Sequence, residues 1–197
     1  MKPIFDNGHG GMIGGKYQTK GKRSPDWGCG VLYEGMFNRW VVNRLIEKMD
    51  RSGLEYYHIS PEAHDIPLWQ RSERANKIFG KDPKTYLISI HANGGGGEGI
   101  EGFTSPGVTK SDIIADLILR DIETNFKGIQ KMRFDMIDGD RDKEAKFHIL
   151  TKSNCPAVLL ECAFMDHRKD YERLWSEEYL ERIVESLFES IQTLYKK

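Results

Sequence analysis

The segment TYLISIHANGGGG, residues 85–97, decides the fold of this chain. Its first seven residues are mostly apolar or β-branched, which is typical of a strand that is buried on both faces of a sheet. A run of four glycines follows and ends the strand. Because a strand of this kind needs helices above and below it, the neighbouring sequence should alternate between strands and helices.

Helical and extended patterns do alternate along the rest of the chain. Apolar residues recur at helical spacing in four segments, which begin near residues 34, 67, 111 and 177. Predicted strands are residues 2–6, 54–60, 85–91, 99–104, 147–150 and 157–161, and predicted loops are residues 10–33 and 127–146. The alternation predicts a single α/β domain over residues 1–197, with a mostly parallel twisted sheet of about six strands and helices on both faces.

Size and composition exclude several classes of protein. A chain of 197 residues fits one domain, and 39% hydrophobic with 30% charged residues is a globular balance rather than a disordered one. The formal net charge of −1 argues against a surface built to coat nucleic acid or an anionic membrane. No run approaches the roughly 18 apolar residues of a membrane span, and no apolar signal segment is visible. We therefore expect a protein that works inside the cell, or leaves it by a route not written at this end.

Three predicted strands end in a side chain that can bind a metal or move a proton. His9 follows the first strand, His91 ends the strand at 85–91, and Glu161 ends the strand at 157–161. Ligands of open α/β sheets bind at the carboxyl ends of the strands. Each side chain alone has an ordinary structural interpretation, but we expect all three to meet at one edge of the sheet.

Glu34 adds a second carboxylate to this group. It lies three residues before Phe37 and seven before Val41, which places it on the inward face of its helix at the first turn. An inward carboxylate is costly unless it is paired or bound to a metal, although stabilisation of the helix N-terminus is the alternative. Two histidines and one carboxylate form a ligand set used by catalytic zinc sites, which leaves Glu161 free to accept a proton from water.

These residues lie within segments that resemble the zinc-dependent N-acetylmuramoyl-L-alanine amidase family, which includes bacterial autolysins and phage endolysins. The family's Asp-Pro-Gly-His-Gly-Gly is similar to DNGHGG here, and its Ser-Ile-His-Ala-Asn is present unchanged. The matching segments, in order, are residues 6–11, Glu34 with Asn38, RSERAN at 71–76, SIHAN at 89–93, and residues 156–165. The resemblance therefore covers nearly the whole chain.

The resemblance implies one Zn²⁺ per chain, bound by His9, Glu34 and His91, with Glu161 as the catalytic acid/base. It also implies peptidoglycan as the substrate, cut between the muramic lactyl group and the first L-alanine. The expected protein is a monomer that acts on the cell wall, in the periplasm or outside the cell, and has no separate wall-binding domain. Two departures stand out: Asn7 replaces a proline, which predicts a looser turn, and Asp166-His167 replaces a Ser-Asn pair at the rim.

Other functions are less well supported by the sequence. A thiol hydrolase built on Cys29 or Cys155 lacks the helix N-terminus that lowers a thiol pKa. The glycine run at 94–97 is not followed by Gly-Lys-Ser/Thr, so it predicts a flexible loop rather than a phosphate site. A non-catalytic wall-binding module would not need all four polar residues. A zinc hydrolase that acts on peptide ends or acyl groups is the nearest alternative.

Two features stay open at this level. His148 is close in sequence to the strand of Glu161 and either packs structurally or faces the cleft. The loop at 10–33 follows His9 and is rich in cations, so it is either solvated or in contact with the carboxylates of a stem peptide. Its cations are Lys16, Lys20, Lys22 and Arg23.

Overall fold

A six-stranded sheet forms the centre of the structure, a computed structural model that describes residues 1–196. Its strands are β1 (Lys2–Asn7), β4 (Tyr57–His58), β5 (Thr85–Asn93), β6 (Glu101–Thr104), β7 (Lys143–Glu144) and β8 (Ala157–Phe164), while β2 (Met12–Ile13) and β3 (Lys16–Tyr17) form a separate antiparallel hairpin. The order across the sheet is β4-β1-β5-β8-β6-β7. The first four strands are parallel, β6 is antiparallel to β8, and β7 is parallel to β6.

Helices cover both faces of this sheet. They are α1 (Glu34–Arg51), α2 (Leu68–Lys81), α3 (Lys110–Asn125), α4 (His148–Thr151), α5 (Arg168–Leu174) and α6 (Glu177–Tyr195). Side chains of β5 alternate between the faces: Ile88 and Ile90 pack with α1, α3 and α6, whereas Leu87 packs with α2 and α4. The predicted α/β fold with a mostly parallel six-stranded sheet is confirmed. Within residues 1–196, every helix is too short or too polar to cross a membrane.

Several local predictions were wrong. In the segment 147–150, predicted as a strand, Phe147 caps helix α4 and the next three residues lie in it, with Ile149 and Leu150 buried under α2. A four-residue apolar run has no periodicity that separates a strand from a turn of helix. The strand predicted at 54–60 shortens to β4, and helix α5 was not predicted.

The start of α3 also differs from the sequence interpretation. The sequence predicts a helix that begins near residue 111, with Ser111 as its cap, but Thr109 caps the helix, and Thr109 and Asp112 form a reciprocal capping box. The Ser111 hydroxyl instead accepts a hydrogen bond from the backbone N–H of Ala157, at 3.0 Å. The N–H group of the first residue of β8 thus has a hydrogen-bond partner.

A buried ion pair joins α2 to the end of β1. The guanidinium of Arg71 donates to Asp6 Oδ1 at 2.6 Å, to the carbonyl of Ile66 at 2.7 Å and to Asp65 Oδ1 at 3.1 Å. Burial acts to raise the pKa of Asp6, but Arg71 and the hydroxyl groups of Ser60 and Ser89 outweigh it and hold that pKa below its usual value. Arg71 thus has a structural role, because its pairing with Asp6 holds α2 against the end of β1.

Removing Arg71 should therefore destabilise the fold strongly. We expect Arg71→Ala to lower the free energy of unfolding by about 3–5 kcal/mol, because it leaves the Asp6 carboxylate buried without its cation. The control is Arg74→Ala, since Arg74 lies on the same helix and pairs with Glu62 in a partly exposed position. That control should lose about 1 kcal/mol or less in urea denaturation. If both variants lost the same small free energy of unfolding, the buried ion pair would add little to stability.

Candidate metal centre and active site

A sharp turn after β1 presents His9 at the edge of the sheet. His9 has a φ of 70°, the only positive φ of a non-glycine residue among residues 1–196. This left-handed conformation costs roughly 1 kcal/mol or more and needs support from its surroundings. Helix α1 gives that support: Asn38 Nδ2 donates to the Gly8 carbonyl at 2.8 Å and Arg39 Nη1 donates to the His9 carbonyl at 2.9 Å.

Two glycines allow the turn to approach its neighbours this closely. A Cβ atom on Gly8 would lie 2.1 Å from the imidazole ring of His91, and a Cβ atom on Gly35 would lie 1.9 Å from the carbonyl oxygen of Gly10. Neither distance is possible for a side chain, so both positions require glycine. The turn, β5 and the start of α1 are therefore packed to contact.

Asn7, which replaces the proline of the related family, forms hydrogen bonds through both its backbone and its side chain. Its backbone N–H donates to the Ser60 hydroxyl at 3.0 Å, a bond that proline could not make. Its side-chain oxygen also meets Nε2 of His58. Contrary to the expectation of a looser turn, Asn7 anchors the turn to the segment after β4.

Glu34 lies between the two histidines. Its Oε1 atom is 2.9 Å from His91 Nδ1 and 3.2 Å from His9 Nε2, and its side chain is only 2% exposed. One donor atom from each of the three side chains lies within 4.8 Å of the others. The structure thus brings together the three residues that the sequence predicts as metal ligands.

The electrostatics keep Glu34 charged in this position. Burial acts to raise its pKa, but the neighbouring imidazole groups of His9 and His91 outweigh burial and lower the pKa well below the usual value. For His91, burial acts to lower the pKa, and Glu34 more than compensates, so the pKa is raised. Glu34 Oε2 is buried without a hydrogen-bond partner. Helix-dipole stabilisation alone does not explain two imidazoles around this carboxylate.

These donors fit a zinc ion. Imidazole nitrogen and carboxylate oxygen are typical zinc ligands, and three protein ligands leave a fourth position open in catalytic sites. The orphaned Oε2 of Glu34 and the buried Nε2 of His9, which also has no hydrogen-bond partner, are the atoms that a cation would satisfy.

A chain of hydrogen bonds fixes the orientation of His91. The Ser89 hydroxyl donates to Asp6 Oδ2 at 2.7 Å, and its oxygen lies 3.2 Å from His91 Nε2. Because that hydroxyl proton is used by Asp6, the Ser89 oxygen must accept from His91. The Nε2 atom then carries a ring proton, and Nδ1 is the ring atom that faces Glu34.

Glu161 stands beside the three-residue group. Its Cα atom is the register partner of the Cα atom of His91 across β5 and β8, so both side chains project from the same face. Its Oε2 atom is buried without a hydrogen-bond partner, and burial raises the pKa of Glu161 to about 7. A carboxyl group of this pKa can both accept and return a proton near neutral pH.

Two clefts open at this edge and meet at Lys22 and Glu161. The larger, of about 600 Å³, lies towards α2 and α4 and is called here the apolar cleft. It is lined by His9, Lys22, Ile66, Pro67, Leu68, His91, Phe147, His148, Ile149, Leu159 and Glu161, among others. The smaller, of about 350 Å³, is called the polar cleft and is lined by Lys22, Arg23, Glu34, Asn93, Glu161, Met165 and Asp166 with flanking residues.

The clefts show where His148 and the loop cations lie relative to the candidate site. His148 faces the apolar cleft, where its Nε2 atom lies 3.3 Å from the Ser72 hydroxyl. Of the loop cations, Lys22 and Arg23 line a cleft, while Lys16 and Lys20 do not. The apolar wall at Phe147 was missed by the sequence interpretation, because residues 147–150 were assigned to a strand.

Of the alternative sites that the sequence offers, Cys155 is buried and the glycine loop is occupied, whereas Cys29 is exposed. Cys155 is buried, and burial raises the pKa of its thiol to about 11, which opposes formation of a reactive thiolate. In the glycine loop, the N–H groups of Gly95 and Gly96 donate to Asp166 Oδ2 at 2.6 and 2.9 Å. The protein's own carboxylate thus takes the place that a phosphate would need.

A second group of possible ligands surrounds Asp170, with Glu98 and His167. Asp170 Oδ2 already accepts from the backbone N–H of Gly99 at 2.7 Å, and Oδ1 accepts from Arg173 at 2.9 Å. An arginine inside the group disfavours a metal ion, so Asp170 is better explained as a buried hydrogen-bond centre.

A family model described as N-acetylmuramoyl-L-alanine amidase matches residues 4–193 of the chain. The chain belongs to this family. The predicted family resemblance is therefore confirmed.

Relatives within the amidase family show how far the likeness extends. The amidase CwlM of Bacillus licheniformis is 34% identical over 123 residues, which is 60% of this chain and 42% of that protein. A cell wall amidase of Bacillus anthracis, described as uncharacterised, is 27% identical over 98% of this chain and 35% of its own length. The chain thus spans well under half the length of these two relatives.

A solved structure supports the same fold. The N-acetylmuramoyl-L-alanine amidase of Clostridium difficile 630 aligns with a TM-score of 0.78 at 23% identity, over 100% of this chain and 97% of that one. At this level of identity the likeness shows the amidase fold.

The close packing at Gly8 should be essential for the metal centre. We expect Gly8→Ala to weaken the affinity for Zn²⁺ by about 10- to 100-fold, because its methyl group displaces the imidazole of His91. The control is Gly80→Ala, since a Cβ atom at Gly80 in α2 meets nothing within 4 Å. Competition with a chromogenic chelator measures both affinities, and an unchanged affinity in Gly8→Ala would contradict the assigned geometry.

Proposed function

We propose that the protein is a zinc-dependent N-acetylmuramoyl-L-alanine amidase. It hydrolyses the amide bond between the lactyl group of N-acetylmuramic acid and the L-alanine of the stem peptide, and its place of action is the peptidoglycan wall. The observation that carries the proposal is the convergence of His9, Glu34 and His91 beside Glu161, whose Oε2 atom is buried without a hydrogen-bond partner. Membership of the amidase family selects peptidoglycan over the other substrates of zinc hydrolases.

His9, Glu34 and His91 hold one zinc ion per chain in this proposal. A zinc ion held there would supply a Lewis acid and would make water more acidic, with a pKa of about 7. The chain contributes the fixed geometry: α1 supports the strained turn of His9, and the Asp6–Ser89 relay sets the ring proton of His91. Less reorganisation is then needed when the reaction begins.

Glu161 moves the proton. It takes a proton from the attacking water as the new C–O bond forms at the lactyl carbonyl carbon. It then gives this proton to the alanine nitrogen as the C–N bond breaks, which releases the peptide amine and a lactyl carboxylic acid. The acid loses its remaining proton to solvent or to the amine at neutral pH. A side chain with a pKa near 7 is suited to both transfers.

The proposed ligands predict the metal content of the protein. We expect about one zinc per chain in the wild type and a large loss in His9→Ala and His91→Ala, because two protein ligands hold a catalytic zinc poorly. His64→Ala is the control, since His64 is exposed and lies outside the three-residue group. Mass spectrometry of the metals after gel filtration gives the content. Unchanged zinc in both ligand variants would remove the proposed centre.

The bond that is cleaved, and the role of Glu161, are tested together. Mass spectrometry of purified muropeptides after digestion should show free stem peptides and peptide-free glycan. Glu161→Gln should lower turnover by about 10²- to 10⁴-fold and keep its zinc, because the amide preserves the shape but not the base.

Two outcomes would change this assignment. Near-normal turnover in Glu161→Gln would exclude Glu161 from the reaction, and loss of zinc would recast it as a ligand. Products cut within the peptide would instead favour a zinc hydrolase of different specificity.

A further inference from the structure

The metal centre lies where the apolar cleft and the polar cleft meet. Lys22 and Glu161 line both clefts, His9 and His91 line the apolar one, and Glu34 lines the polar one. A substrate with its scissile bond at this junction must extend in two directions, with one part in each cleft. In the proposed function these two parts are chemically different, because one is a sugar and the other is a peptide with carboxylates.

The polar cleft has the cations that a peptide with carboxylates requires. The Nζ atom of Lys22 lies 3.9 Å from Glu34 Oε2, and the Lys22 carbonyl accepts from the backbone N–H of Glu34, so this lysine is fixed beside the centre. Arg23 lies next to it and pairs through its backbone with Tyr33. The carboxylate of Asp166 also lines this cleft, but it is engaged by the glycine loop.

The apolar cleft has a wall of exposed hydrophobic side chains. Leu68 is 55% exposed and Phe147 is 42% exposed, and the adjacent Trp69 is 61% exposed. Ile149 and Leu159 lie behind them. Apolar side chains that remain exposed in a group beside an active centre are a mark of a ligand-binding surface.

Phe147 is held in a fixed orientation at this wall. Its ring packs edge-to-face on Phe103, with 5.2 Å between the ring centres and 66° between the planes. An aromatic ring that is anchored on one side and open on the other offers a flat apolar platform. The C–H face of a pyranose ring is a matching surface, whereas a charged peptide is not.

We propose that the apolar cleft binds the glycan part of the substrate and the polar cleft binds the stem peptide. Phe147 and Leu68 contact the muramic acid ring and the sugar beside it, and they set the preference for substrates that carry sugar. This inference rests on the proposed function and adds the direction in which the substrate lies across the centre.

Two synthetic substrates with the same peptide test this direction. One carries the disaccharide of N-acetylglucosamine and N-acetylmuramic acid, and the other carries only the D-lactyl group. We expect Phe147→Ala to lower kcat/KM on the disaccharide substrate by about tenfold, the size expected when a partly buried aromatic contact is lost. On the lactyl substrate the change should be less than about twofold.

Three further variants support the comparison. Leu68 lies in α2, whereas Phe147 precedes α4. Leu68→Ala should show the same loss of kcat/KM on the disaccharide substrate alone, so the test does not depend on the folding of one variant. Arg23→Gln should lower kcat/KM by a similar factor on both substrates, because both carry the peptide. Ile137→Ala is the control for an exposed apolar side chain, since Ile137 is 93% exposed and lines neither cleft.

A binding measurement separates this inference from the proposed function. A peptide-free tetrasaccharide of alternating N-acetylglucosamine and N-acetylmuramic acid should bind wild type about tenfold more tightly than Phe147→Ala in titration calorimetry. If wild type cleaves neither substrate, the proposed function fails. The titration still shows whether the apolar cleft binds the glycan. An equal loss of kcat/KM on both substrates, a loss on the lactyl substrate alone, or no tetrasaccharide binding would overturn the inference.

Discussion

The buried ion pair of Asp6 and Arg71 is the interaction on which the candidate site depends. Asp6 lies at the end of β1, two residues before Gly8, and its two oxygens also receive the hydroxyl groups of Ser60 and Ser89. One carboxylate therefore joins β1, β5, α2 and the segment after β4. A buried charge is tolerated only when it is fully paired, so these elements must assemble together. The same carboxylate orients His91 through Ser89, which makes part of the framework and part of the site a single hydrogen-bonded unit.

Helix α1 contributes to the site in a second, independent way. Its first residue, Glu34, is the buried carboxylate between the histidines, and Asn38 and Arg39 hold the backbone of the His9 turn one helical turn later. The strained conformation of His9 thus exists only while α1 is docked on the sheet. Residues far apart in the sequence are brought together by one helix that supplies both a functional group and its support.

The parts of the structure that follow from periodicity and strand order could be predicted from sequence. Buried strands such as β5 have a clear apolar pattern, and parallel strands place their carboxyl ends at one edge, so the meeting of His91 and Glu161 follows from simple rules. The remaining features, helix α4 and the position of Lys22, depend on tertiary contacts. Helix α4 has too few residues for a period, and the position of Lys22 depends on its backbone bond to Glu34. Neither leaves a pattern in the local sequence, so the two clefts could not be foreseen.

The bond between Asp166 and the glycine loop has a consequence for the entropy of substrate binding. Asp166 lies five residues after Glu161, and the loop that it holds begins three residues after His91. The rim of the polar cleft is therefore cross-linked between the ends of β5 and β8 before any ligand arrives. A glycine-rich rim without this link would lose much conformational freedom on binding, and that loss would weaken the complex. Because the carboxylate has already ordered the rim, a peptide bound in this cleft as proposed would meet a preorganised groove, and more of its contact energy would remain as affinity.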